Sequence, residues 1–297
     1  MRTLLKLAAM RIRITLRNKT FLFFSLIMPM GIFFLYSGAI AKGRPAAVSY
    51  WMGPILSFTV MGTFWGLSVQ LVTWREQGIL RRFRLAPIAP ASMIGSSILA
   101  NYILIMPTVI LELLLARFIY HVTSFGNLFS VFVLVILGIT SFGAMGLIVA
   151  SVTNTMQETQ IINQILWFAL ILLSGVTFPL AALPRMVQRV GLFLPATYLV
   201  YGLQRAMLAN AELQTLGMVL FSLIAWAALA FFISSQLFRW EPEAKLPRNA
   251  KLWAVATILP FILLGILENH NGKVLGTAAA MMSDRPTENA PPPGKSQ

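Results

Sequence analysis

Six stretches of this chain are each long and apolar enough to cross a bilayer as a helix: Phe21–Ala41, Trp51–Thr73, Met93–Phe118, Phe125–Val152, Ile161–Leu183 and Leu216–Phe238. A spanning helix needs about 20 residues for about 30 Å of hydrocarbon, and within that layer every backbone N–H and C=O must find its partner inside the protein. Runs of this length, almost free of charge, predict an all-α polytopic membrane protein. Composition agrees: with 58% hydrophobic and 11% charged residues and a mean hydropathy of +0.78, the chain has too little polar surface to cover a soluble globule.

Charge sets the direction of threading. Met1–Thr20 carries Arg2, Lys6, Arg11, Arg13, Arg17 and Lys19 with no acidic residue, so this end should stay in the cytoplasm. On a helical wheel Arg2, Lys6, Arg13 and Arg17 share one sector, with Leu4, Leu5, Ala8, Ala9, Ile12 and Leu16 beside it. That pattern predicts an interfacial helix lying on anionic lipid headgroups, which makes membrane lipids a first partner. A cleaved signal peptide competes, since Ala39-Ile40-Ala41 resembles a cleavage site, but the basic region is long and the apolar run outlasts a signal peptide's usual 7–15 residues. Alternate crossing then places Trp74–Ser92, Thr153–Gln160 and Arg239–Lys251 inside. The inside segments hold Arg75, Arg81, Arg82, Arg84, Arg239, Lys245, Arg248 and Lys251 besides the N-terminal six; the outside connections hold Lys42, Arg44, Arg117 at a lip, Arg185, Arg189 and Arg205. The net charge of +14 is accounted for by this topology and by headgroups, not by nucleic acid.

A seventh run, Leu252–Leu267, falls a few residues short of the usual span and contains Pro260. Thinning of the bilayer around a short segment is inexpensive, so it is expected to span and leave the C-terminus outside. Residues 268–297, ending in APPPGKSQ, have the composition of a disordered tail.

The segment Trp74–Pro90, WREQGILRRFRLAPIAP, is the one strongly basic stretch enclosed between long apolar runs in the first half of the chain. Its four arginines belong in water. Gly78, Pro87 and Pro90 limit regular structure to a short helix near Ile79–Arg84, a shape suited to docking on a soluble partner. A solvated positive-inside loop with no partner fits the charge equally well.

Inside the runs, polar residues are few: Asn101, Glu112, Asn163 and Gln164. Glu112 is the only acidic residue well within a span, and an intramembrane carboxylate points to a pathway or pairing role, against a neutral, packed one. Gly62 and Gly66 form GxxxG, and Gly143, Gly146 and Ala150 form a second small stripe, both suited to close helix packing. Enzyme chemistry lacks its parts. The sole aspartate is Asp284, the histidines are His121 and His270, and there is no cysteine, so neither an aspartyl dyad nor an ordinary metal site can be assembled. Gly66-Leu67-Ser68 is too short a match for a serine nucleophile, and Gly294-Lys295-Ser296 lacks the first glycine of a phosphate loop because Asn289 stands there. No cofactor is expected in this chain.

The loop residues Glu76, Gly78, Arg81, Arg82, Arg84 and Pro87, with SGVTFPLAALP at Ser174–Pro184 and LPATYLVYGLQRAM at Leu194–Met207, resemble the membrane subunit of ABC-2 type exporters. The second block is the more specific match. The resemblance implies a six-span domain over residues 1–239, then a basic linker and seventh apolar segment (240–267) and the tail. It implies an external re-entrant hairpin carrying Ser174, Gly175, Phe178, Pro179, Pro184, Pro195 and Tyr198, where the prolines break the helix and Val187–Leu194 is apolar enough to dip back below the surface.

The same resemblance implies a cytoplasmic coupling loop docked on a separate ATP-binding cassette subunit, which would hold the ATP and magnesium. One six-span unit is half of a pathway, so a second copy or a paralogous permease should pair with it in the inner (plasma) membrane. Export of an amphiphile is the implied function, with the substrate open. A secondary transporter would want several buried ionisable groups where this chain offers Glu112, and a polytopic enzyme would want a nucleophile or metal set it lacks.

Overall fold

In the computed structural model, which describes residues 9–14, 16–17, 23–80, 90–237 and 259–283, the regular elements are all helical. The chain is a polytopic membrane protein. After a short helical stretch at 9–14 comes a continuous helical segment, α1 (Met28–Phe34) with π-helical turns Phe23–Ile27 and Leu35–Ile40 at its ends. Then come α2 (Pro45–Glu76), α3 (Pro90–Phe118), α4 (Leu128–Val152), α5 (Met156–Leu173), a 3-10 turn (Leu180–Ala182), α6 (Arg185–Gly191), α7 (Pro195–Leu208), α8 (Gly217–Leu237), α9 (Leu259–Asn271) and α10 (Lys273–Ser283).

Local signals account for most of the boundaries. Pro45 and Pro195 open α2 and α7 at the first helical position, where a missing N–H costs nothing. The Asn127 side chain accepts from Ser130 N and caps α4, and Thr155 accepts from Glu158 N at the start of α5. Gly78 turns the chain out of α2 with φ +69, a conformation that costs glycine little.

Among the described residues four helices are long and apolar enough to cross a membrane: Pro45–Glu76, Gly95–Phe118, Leu128–Val152 and Leu213–Ser235. The first apolar run is helical over Phe23–Ile40, and the fifth forms a shorter helix than its sequence suggested. The fifth ends at Leu173, not Leu183, because Gly175 adopts φ +90 and Pro179 follows before another turn can form. Six elements nevertheless alternate in direction. The segment Phe23–Ile40 places Ser25 O on Thr108 of α3 and the Phe33 ring against Tyr120, and α5 runs antiparallel to α2 from Met156 beside Thr73 to Trp167 beside Phe58. One end of the bundle therefore carries the end of α2, the start of α3 and the α4–α5 turn. The other carries residues 174–195.

The core lies where α2, α4, α7 and α8 meet, around the buried Met52, Ile55, Phe64, Leu134, Phe142 and Leu203. Small residues set the distances. A Cβ on Gly146 would lie 2.3 Å from Phe64 O, so α4 meets the α2 backbone directly; Gly202 instead leaves room for the side chains of Val219 and Leu134. Among the described residues nothing lies within 4 Å of a Cβ on Gly62, whereas the Gly143/Gly146 stripe of α4 packs closely on α2.

The C-terminal part corrects one expectation. The boundary expected at 267/268 falls inside α9, and α10 gives residues 273–283 regular structure where the composition suggested none. Its cause is packing: Leu264 and Val274 are buried, Gly265 sits on the Phe193 ring, Asn269 Nδ2 donates to Arg189 O, and Glu268 Oε2 accepts from Val274 N at the start of α10. The pair α9–α10 thus lies against the α6 end of the bundle. Residues 252–258 of the seventh run, and 284–297, lie outside the described residues.

Candidate functional site

At the loop end, the last two residues of α2 hold the neighbouring helices by their ends. Arg75 is buried, and its guanidinium donates from Nη1 to Ala150 O (2.8 Å) and from Nη2 to Thr153 O (2.6 Å), carbonyls at the C-terminus of α4. Glu76 Oε1 accepts from Met156 N (2.8 Å), the first amide of α5. Each charge meets the helix end whose dipole suits it, cation on C-terminus and anion on N-terminus. The turn between is tied internally: Asn154 N donates to Glu158 Oε2, and Thr159 Oγ1 to Thr153 Oγ1. Asn163 Nδ2 donates to Ser68 Oγ (2.7 Å) further along the same α2–α5 seam.

Sequence reasoning counted Arg75 among the loop's solvated charges; the structure buries it. Glu76 and Gly78 lie where the loop was expected to begin. Arg81, Arg82, Arg84 and Pro87 lie outside the described residues.

Beneath the same end sits Arg11, another residue without an assigned role in the sequence. It is 1% exposed, donates to Ser97 Oγ of α3 and stacks on Trp74 of α2 with its guanidinium carbon 5.3 Å from the ring centroid. Burial pushes its pKa down to about 9, so it remains a cation at neutral pH. A signal for this was available: on the N-terminal wheel Arg11 falls opposite the sector of Arg2, Lys6, Arg13 and Arg17. Residues 1–8 of that predicted interfacial helix lie outside the described residues, while 9–14 are helical.

At the opposite end the three prolines each open an element. Pro179 precedes the 3-10 turn, Pro184 precedes α6 and Pro195 begins α7. Ser174 and Gly175 are buried at the end of α5, Phe178 is exposed, and Tyr198 is wholly buried with its hydroxyl donating to Leu192 O (2.8 Å). Gln188 Nε2 donates to Leu183 O and Ala181 O, and Thr197 Oγ1 to Gly191 O, which folds the segment back on itself. A Cβ on Gly191 would lie 2.3 Å from Leu173 O, so α6 returns to within backbone contact of α5. Of the predicted hairpin residues, Ser174 and Gly175 line one small cavity together with Leu180, Thr197 and Val200.

Arg185 and Arg189 are exposed on α6. Single cysteines there should react with a membrane-impermeant thiol reagent added to intact cells. Reaction only after the cells are opened would invert the threading predicted from charge.

The intramembrane polar residues separate into two groups. Glu112 is fully buried in α3 and accepts from Thr59 Oγ1 of α2 (2.6 Å), and Asn163 is buried against Ser68, so neither opens on a channel in this conformation. Gln164 behaves otherwise. It is exposed, on a stripe of α5 that also exposes Gln157, Gln160, Ile161, Ile165, Phe168 and Leu172, an arc of about 140°. Among the described residues no group of three His, Asp or Glu is placed to hold a metal.

Residues 37–235 match a family model described as ABC-2 family transporter protein. The chain is 26% identical over 209 residues to a protein of Bacillus subtilis (strain 168) named as a transport permease, YvfS, covering 66% of this chain and 82% of that protein. It is 28% identical over 171 residues to a protein of Escherichia coli (strain K12) named as a probable multidrug ABC transporter permease, YbhS. That match covers 56% of this chain but 45% of YbhS, so the chain spans less than half of this relative's length.

Proposed function

The chain belongs to the ABC-2 transporter family, and from that premise we propose that it is one half of an exporter's translocation unit, moving an amphiphilic substrate outward while a separate subunit hydrolyses ATP. Permeases of this family are not themselves ATPases, and the family implies an ATP-binding partner. The observation that carries the pathway is the glutamine stripe of α5. Gln164 stands about 12 Å along the helix from Met156, a depth at which an amide facing lipid would be left without hydrogen-bond partners. Water or a second permease meets that need. We therefore assign the exposed face of α5 to the seam between two copies, with apolar Ile161, Ile165, Phe168 and Leu172 interleaved with glutamines as an amphiphile's path requires.

In this arrangement the N-terminus is cytoplasmic, the α2–α3 loop docks the ATP-binding subunit, the six alternating elements and the seventh apolar run (252–267) cross the inner membrane, and residues 174–195 form the external re-entrant hairpin. The name of YbhS as a multidrug permease suits amphiphilic cargo. Glu112, bonded to Thr59, is assigned to packing between α2 and α3 and not to the path.

A cysteine at Gln164 tests the seam, since the chain has none of its own. In membranes it should react with a water-soluble maleimide or cross-link to its counterpart in a second copy. A Gln164→Cys protein that does neither, while cysteines at Arg185 react, would put α5 against lipid and remove the basis for the path.

A further inference from the structure

We propose that Arg75 and Glu76 act together as a mechanical clamp that makes the foot of α5 move with the docking loop; this rests on the function proposed above and assigns its transmission to two positioning residues. The two side chains are consecutive, and they grip the two sides of one turn. Arg75 holds the carbonyls of Ala150 and Thr153 that end α4, and Glu76 holds the Met156 amide that begins α5. Immediately beyond them the chain turns at Gly78 with φ +69 and buries Leu80 beside Trp74 and Met93, so the clamp lies one residue, Gln77, before the turn into the loop.

Three features make the clamp stiff. Arg75 is 3% exposed, so water does not compete for its guanidinium. The turn it grips is braced by Glu158 on Asn154 N and by the Thr153–Thr159 hydroxyl pair, so it responds as a unit. Thr73 Oγ1 on Met156 Sδ and Asn163 on Ser68 continue the attachment of α5 to α2 above it. A displacement of the loop is thereby delivered to α5, the helix with the exposed glutamine stripe, before it can be absorbed by bending between helices. Either bond alone would leave the other side of the turn free to lag.

The conservative variant distinguishes a clamp from a charge. Glutamine at position 76 keeps an Oε1 that accepts from Met156 N, whereas alanine removes it. Spin labels on cysteines replacing Gln77 and Gln157, both exposed, report the distance between the loop's root and the foot of α5 in nanodiscs. A narrow distribution is expected for the wild-type background and for Glu76→Gln, and a broad one for Glu76→Ala. In the complex co-purified with its ATP-binding subunit, Glu76→Ala should lower permease-dependent stimulation of ATP hydrolysis about tenfold, with Glu76→Gln close to wild type. Arg75→Met should broaden the distances as Glu76→Ala does. Unchanged distances and stimulation in Glu76→Ala would overturn the clamp, and so would equal damage in Glu76→Gln, which would make the charge a docking contact. Absence of any ATP-binding partner for the wild-type chain would instead sink the transport reading, and the distance measurement would still decide the clamp.

Discussion

Replacing Gly146 by leucine should prevent the folded permease from accumulating in the membrane. A Cβ at this position would lie 2.3 Å from Phe64 O, 2.9 Å from Phe64 Cα and 3.0 Å from Phe64 C, all atoms of the α2 backbone, which cannot rotate aside as a side chain can. The two longest central helices would have to separate, and with them the packing of Phe64, Phe142 and Leu67. In a bilayer the loss is not offset by any change in water exposure, because helix association there depends on close contact and not on the hydrophobic effect. Overpacking costs of about 1–3 kcal/mol are usual where neighbours can shift, and a backbone obstacle belongs at or above the top of that range. Gly143→Ala provides the control. Its Cβ would meet Leu67 Cδ1 at 3.2 Å, the mobile end of a side chain, and the variant should melt in detergent close to wild type. If the Gly146→Leu protein is extracted in wild-type amounts with an unchanged melting temperature, the α2–α4 crossing is looser than described.

Charge reversal at Arg81 and Arg82 should strongly weaken association with the ATP-binding subunit while leaving the permease inserted. Both positions lie outside the described residues, so the expectation rests on the sequence of the loop and on the family's need for a soluble partner. Two arginines replaced by glutamates set like charges against whatever acidic surface the partner offers, and such juxtapositions cost several kcal/mol. At about 1.4 kcal/mol per tenfold, association should weaken by about a hundredfold or more. Insertion should survive because the remaining loop arginines, Arg75 and Arg84, and the basic N-terminus still mark the inner face. Co-purification of the tagged permease with its partner gives the readout. A double variant that associates normally and still supports ATP-driven export would leave the loop as a topological anchor alone. The clamp at Arg75 and Glu76 predicts a different outcome for its own variants, with association kept and transmission lost, so the two ideas separate on one set of proteins.

The clamp also shows where sequence reasoning loses resolution. Arg75 and Arg81 look alike in the chain, each a cation in the basic stretch after the second apolar run, yet one is sealed under the α4–α5 turn. Arg11 is similar: the basic residues around it in the chain pointed to lipid headgroups, and it points to Trp74 and Ser97. Side-chain direction at a helix end depends on which other helix end stands opposite, and that is set by elements some 75 residues away in the chain.

What the sequence determined by itself was the class of object and its punctuation. Length of apolar run gives helices because unpaired backbone is intolerable in hydrocarbon, proline and glycine stop them because one lacks an N–H and the other enters positive φ cheaply, and the inventory of Asp, His and Cys leaves no aspartyl dyad and no cysteine nucleophile whatever the shape. These are properties of single residues or of contiguous segments. The tertiary structure decided what depends on pairs. It made Gly146 a close crossing, turned the tail at 273–283 into a helix by giving Val274 a buried place, withdrew Glu112 into a bond with Thr59, and left the glutamines of α5 facing outward. A residue's partner across a helix seam is fixed by how whole helices pack, and packing is a sum over contacts that no local pattern encodes.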